Sequence, residues 1–198
     1  MAIKYQYNKT SLNELNRQLS MRVRSLPTIK SKESALRAEV KRSKEKAEVL
    51  YEQLNNQIQS YERIAALWNE FDHRLLEVKD VELSMVKIAG VQTPKLERVI
   101  FIEKPFSLFN RPFWFPDGIK ILKSLVQIGI ESEIYYQKMR VLDYARKKTT
   151  QKVNLYEKVQ IPGYNEAIRK IKRFMEDEDN LSKASQKIVK TRQQAPAV

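Results

Sequence analysis

Apolar residues recur three and four apart along two long stretches of this chain, and the stretch between them alternates differently. In the first, the stripe passes through Leu12, Leu15, Leu19, Val23 and Leu26, slips at Pro27, and resumes at Ile29, Glu33, Leu36, Val40, Ser43, Ala47, Leu50, Leu54, Ile58, Tyr61, Ala65 and Trp68. The second reads Ile121, Leu125, Ile128, Ser132, Tyr135, Met139, Leu142, Arg146, Thr149, Val153, Tyr156 and Gln160. It then changes phase at Ile161-Pro162-Gly163 and continues through Tyr164, Ala167, Ile171, Phe174, Glu178, Leu181, Ser185 and Ile188. Such a narrow seam is that of a helix packed along a partner helix. Steps of four-four-three at Leu15–Leu26 and Leu50–Tyr61 locally unwind a left-handed supercoil, so the pairing should be nearly straight.

Ser11 and Glu14 have capping-box spacing, which predicts a helix start there. Pro27 lies in the helix interior, where a proline costs about 3 kcal/mol and bends or breaks the helix; a bend is expected. Between the stretches, Val81–Ile88 and Leu96–Ile102 are short and rich in β-branched residues, with Gly90 and Pro94 punctuating the gap. They predict a β-hairpin. Next comes Pro105–Pro116, with five aromatics among its twelve residues; these either fill a small core or form an exposed docking patch.

The fold class expected is mainly α: a long antiparallel two-helix coiled-coil hairpin of N- and C-terminal helices, with a small central α/β knob containing the β-hairpin. The divisions are an N-terminal arm over 1–79, a knob over 80–116, a C-terminal arm over 117–190 and a disordered tail over 191–198. Arms of this length would reach about 100 Å at about 1.5 Å per residue. Narrow seams and 31% charged residues bury less than a compact domain does, so such a fold should lean on a partner.

Charge sharpens this picture. The chain carries 37 Lys and Arg against 24 Asp and Glu, a net charge of +13. Residues 1–48 hold 12 basic against 5 acidic side chains, residues 146–198 hold 13 against 6, and the middle holds 12 against 13. Antiparallel arms would bring both basic ends together, with Lys9, Arg17, Arg22 and Arg24 set against Lys183, Lys187, Lys190 and Arg192. Such a tip suits a phosphate backbone, an anionic membrane or an acidic protein socket.

Candidate chemistry is sparse. Cysteine is absent, which excludes disulfides and thiol catalysis. The four glycines stand alone, so no phosphate-cradling loop exists. His73, the one histidine, has Glu70, Asp72 and Glu77 nearby; a single His among scattered carboxylates on a charged helix is far more often a surface residue than a ligand. Glu176-Asp177-Glu178-Asp179 reads as a solvated face opposite Lys170, Lys172 and Arg173. No catalytic, cofactor or metal site is expected, and no apolar run approaches the roughly 20 residues of a membrane span.

The segment from Ala145 to Lys172 resembles the C-terminal signature of the D subunit of V-type and archaeal-type rotary ATPases. Lys152-Val153-Asn154, Glu157, Ile161-Pro162 and Ile168-Arg169-x-Ile171 fall on the family's positions. Asn8-Lys9-Thr10-Ser11-Leu12 with Leu15, and Ile29-Lys30-Ser31-Lys32, are similar to its opening. Ile88-Ala89-Gly90-Val91 with Pro94 is similar to its mid-chain turn. Pro27 and the Phe106–Phe115 stretch depart from the pattern.

The resemblance implies a non-catalytic central-stalk rotor subunit that couples ATP hydrolysis or synthesis to ion transport. Lys9, Arg17, Arg22, Arg24, Lys183, Lys187, Lys190 and Arg192 would face the ring of A and B subunits. Met85, Ile88, Val99 and Phe101 would serve the knob and the neighbouring stalk subunits, namely F and the C/d subunit above the membrane rotor. The location implied is cytoplasmic and peripheral to the membrane, with no cofactor, no nucleic acid and no direct membrane insertion. The rival is a basic coiled coil that binds nucleic acid or a membrane surface.

Overall fold

A computed structural model of the protein describes residues 3–62, 65–107, 109 and 111–194, without the side chains of Ala65 and His73. Its elements are α1 (Lys9–Ser60), a short α2 (Ala65–Trp68), a 3₁₀ turn (His73–Leu75), β1 (Leu76–Ile88), β2 (Val91–Glu103) and α3 (Phe115–Asn154). A π-helical segment (Leu155–Gln160) and α4 (Ile161–Gln194) complete the chain. Two compact units are present: one combines residues 1–31 with 149–198, the other spans 32–148.

Helix α1 starts at Lys9, and its cap is Asn8, not Ser11. The Ser11 amide donates to Asn8 Oδ1 at 2.7 Å, while Ser11 Oγ instead accepts from the Gln6 amide at 3.2 Å. The helix runs through Pro27 unbroken. Along its solvated side, Glu33–Arg37, Lys41–Glu45 and Lys44–Glu48 are ion pairs four residues apart, at 2.8, 3.7 and 3.5 Å. Such pairs support a long charged helix by a few tenths of a kcal/mol each, on the order of 0.2–0.5.

The first helix ends at Ser60 and not in the high seventies. Tyr61 donates to the Ile58 carbonyl and Ser60 Oγ to the Gln57 carbonyl, tightening and closing the last turn. Trp68, beyond it, serves another purpose. Trp68 stacks against Phe71 and Trp114, with ring centroids 5.5 and 5.1 Å apart, instead of continuing the seam.

In the 32–148 unit, α1 and α3 lie antiparallel. Glu39 pairs with Lys138 at 2.9 Å, Ser132 Oγ donates to the Ala47 carbonyl at 3.1 Å, and Leu54 sits over Gly129. Leu36, Ser43, Ala47, Ser132 and Leu142 are buried along this contact. Three of the five are small, which lets the two backbones approach closely.

The hairpin exists and is longer than the β-branched runs suggest, at 13 residues per strand. Ala89 and Gly90 both take positive φ, 48° and 80°, the geometry of a tight two-residue turn whose twist matches the strands. Pro94 does not bound the gap; it lies inside β2 opposite Met85. A two-stranded sheet has only edge strands, which tolerate a residue without an N–H. The sheet is supported by α3. Val86, Ile88, Thr93 and Leu96 line a groove of about 320 Å³ with Ile134 and Tyr135, the Lys123 ammonium bonds the Glu103 carboxylate, and Lys32 of α1 reaches the turn at Gly90.

At the start of α3 the aromatics divide. Phe115 is fully buried, and Phe71, Phe106 and Trp114 surround it with centroids 5.1–6.2 Å away. Phe109 and Phe113 stand almost wholly in solvent. Gly118 is the close approach that lets Trp114 pack, since a Cβ there would lie 2.6 Å from the Trp114 ring. Gly118→Ala is therefore expected to destabilise the protein by about 1–3 kcal/mol through overpacking, despite the better helix propensity of Ala. The shift in the denaturant midpoint checks this.

The phase change read at Ile161-Pro162-Gly163 has a structural counterpart immediately before it. The π segment joins α3 to α4 without a break, and the Ile161 amide donates five residues back, to the Tyr156 carbonyl. Among the described residues no helix is long and apolar enough to cross a membrane.

Candidate functional site

The 1–31/149–198 unit holds α1 and α4 antiparallel about Leu15, Ala167, Ile168 and Ile171, with Ile3, Tyr5, Leu12, Leu19, Tyr164 and Met175 packed around them. The residues ahead of α1 lie against α4. Ile3 fits against Gly163, where a Cβ would come within 3.0 Å of it, and the Tyr7 ring meets Phe174 at 4.8 Å. Beside them Glu166 and Lys170 form an ion pair at 2.8 Å. The hydrogen bond from Lys170 holds the Glu166 carboxyl below the usual carboxylate range, and the same bond raises the lysine. A hydrogen bond with Tyr7, then partial burial, raises the Tyr5 phenol.

Leu15 thus meets residues near 170, not near 185. Every position of α4 from Glu176 to Gln194 is exposed. The spacing places Leu181 and Ile188 in the inter-arm seam, yet they are 70% and 55% exposed. The reason is that the chain ahead of α1 turns back along Gly163 and Phe174 instead of running on beside them. This free end of α4 has two characters. Lys183, Lys187 and Lys190 are spaced four and three apart on one stripe, while Leu181, Ser185, Ile188 and Arg192 make the opposite one.

The single basic tip is accordingly divided. Lys9, Arg17 and Arg24 are exposed on α1. Arg22 is half-buried and internally engaged: its Nε donates to Gln160 Oε1 at 2.6 Å and its Nη1 to Gln18 Oε1 at 2.6 Å. Its guanidinium also lies 4.7 Å from the Tyr164 ring centroid and 5.8 Å from that of Tyr156. Of the four hairpin residues, Met85 is 69% exposed, whereas Ile88, Val99 and Phe101 are half-buried. Ile88 lines the groove on α3, and Phe101 lies under the Lys123 ammonium. Leu83, 46% exposed, belongs beside Met85 on the free surface. Plain alternation along β1 puts Leu83 and Met85 on one face, the signal from which Leu83 could have been read.

Among the described residues no group of three or more His, Asp and Glu could hold a metal ion. The side chain of His73 lies outside them. What the arrangement offers is a set of exposed helical and hairpin surfaces on a paired-helix framework.

Residues 11–191 match the profile of the family of the ATP synthase D subunit. The chain belongs to the ATP synthase D-subunit family. It is 29% identical over 194 residues to the V-type ATP synthase D subunit of Borreliella burgdorferi, covering 95% of this chain and 94% of that protein. It is 28% identical over 182 residues to the V-type ATP synthase D subunit of Chlamydia muridarum, covering 89% and 90%. The protein of the same description from Chlamydia pneumoniae is 27% identical over 186 residues, covering 89% and 87%. The D subunit is one component of a rotary ATPase complex, and the paired helices and hairpin are those that the spacing of its apolar residues predicts.

Proposed function

We propose that this chain is the non-catalytic shaft of the central stalk in a V-type ATP synthase, coupling ATP hydrolysis or synthesis in the A/B ring to ion translocation. The observation that carries this reading is the free end of α4. A helix exposed on every side, with Leu181 and Ile188 opposite a stripe of lysines, is the surface of a part that enters a partner.

The shaft works by contacting equivalent catalytic sites unequally, since a part shifts an equilibrium only by its differential free energy for the two states. About 5.5 kcal/mol of difference moves a site from 1:99 to 99:1. Many side chains along α4 and the exposed first turns of α1 share that difference. The hairpin's Met85 and Leu83, with Phe109 and Phe113, meet the stalk partners F and C/d. In this role the chain would lie at the cytoplasmic face of the membrane, peripheral to it.

Replacing Lys183, Lys187, Lys190 and Arg192 together by Gln tests this. The variant is expected to bind the A/B ring about tenfold or more weakly at low ionic strength, and its affinity should depend less on salt than that of the unaltered protein. Unchanged ring assembly together with unchanged ATP-driven ion transport would sink the proposal.

A further inference from the structure

The π segment Leu155–Gln160 contains one residue more than the same helical advance needs, because an i→i+5 bond closes over a longer stretch than an i→i+4 bond. Its immediate cause lies in the sequence. Pro162 has no N–H for the Lys158 carbonyl and its ring would press on that carbonyl in a regular turn, so the helix widens just ahead of it. A widened turn is held less firmly by its own backbone, and none of its residues is fully buried.

What lies across from this turn is Arg22. Its guanidinium reaches Gln160, the last residue of the widened turn, and lies beside Tyr156 within the turn and Tyr164 one turn beyond. The Gln18 side chain and backbone carbonyl anchor the other side of the same guanidinium, at 2.6 and 3.0 Å. Lys30 adds an ion pair to Glu157, also in the turn, at 2.7 Å. Three side chains that bracket one irregular turn thus converge on one planar donor, which suits a fork of fixed geometry better than a point charge.

We infer that Arg22 is a positioning residue that captures the extra residue of the π turn and thereby fixes the azimuth of α4 about its own axis. Everything α4 presents beyond the turn, including the Lys183–Lys190 stripe, then faces a direction set by this latch. The functional consequence rests on the shaft role proposed above; the latch itself does not.

The test compares Arg22→Ala in two backgrounds of the full chain. One is the natural sequence. The other carries deletion of the exposed Val159 together with Pro162→Ala, which restores a regular turn and a missing donor. Amide hydrogen exchange over residues 155–165 is expected to quicken by about tenfold or more on Arg22→Ala in the natural background, and by no more than about twofold in the straightened one. Equal acceleration in both backgrounds overturns the inference, because Arg22 would then be an ordinary stabilising contact. In the assembled complex, ions moved per ATP should fall with Arg22→Ala. An unchanged ratio with the exchange contrast intact leaves the latch standing and overturns its consequence for coupling.

Discussion

Ending the chain at Met175 is expected to leave the isolated protein as stable as before and to abolish ATP-driven ion transport once it is assembled. Met175 is the last side chain packed against the Leu15, Ile168 and Ile171 core, and all positions from Glu176 to Gln194 are exposed. Removing exposed side chains away from the core changes stability by no more than about 0.5 kcal/mol. A helix of that length is marginal in water unless tertiary contacts hold it, and here the chain itself supplies few, as the proposed contact with a partner would require. Denaturant unfolding of the isolated chain and ion transport by the reconstituted complex are the two measurements. A truncated protein that unfolds early would give residues 176–194 a structural role within the chain. One that still drives full transport would refute the shaft.

Phe115→Ala is the substitution expected to destabilise the 32–148 unit most. The ring is fully buried and touches Phe71, Phe106 and Trp114, while Arg111 lies 5.7 Å above it and reaches Asp72 at 3.2 Å. The Asp72 carboxyl is in turn held below the usual range, first by the Arg74 amide and then by Arg111. Truncating such a ring costs about 3–5 kcal/mol, the transfer term plus the cavity left behind. The two tryptophans of the chain, Trp68 and Trp114, stack 5.1 Å apart in this same cluster, so intrinsic fluorescence reports its loss directly. A fall below about 1 kcal/mol would mean that the cluster collapses onto the gap and contributes little.

Periodicity made the helical pairing legible, because packing a helix along a helix leaves the same mark on every turn. Leu15, Leu36, Ser43, Ala47, Ser132, Leu142, Ala167 and Ile171 all belong to the predicted stripes and all are buried. The phase change was legible for the same reason. The π turn that produces it was not, since hydrogen-bond closure over five residues has no side-chain signature beyond the proline that follows.

The end of α1 was misread because Trp68 keeps helical spacing while it packs against Phe71 and Trp114. Spacing shows that apolar residues share a face; it does not say what that face meets. The register of the basic ends was not legible. Sequence places positive charge at both ends, but only packing shows that Leu15 pairs with Ile171 and that Arg22 turns inward to Gln160. The Phe106–Phe115 stretch admitted two outcomes, and the structure divides it between them: Phe115 is enclosed and Phe113 is free.

The two-stranded hairpin carries one more implication. Each strand leaves a row of backbone donors and acceptors that its partner does not use, an open invitation to a third strand from a neighbouring molecule. Pro94 interrupts the donor row of β2, the irregularities at Val78/Asp80 and Glu82/Leu83 bend β1 and β2 in turn, and Lys79, Asp80, Glu82, Lys95 and Arg98 place charge along both margins. Freshly made copies can therefore wait in a crowded cell, apolar side chains and all, without zipping into aggregates before their companions arrive.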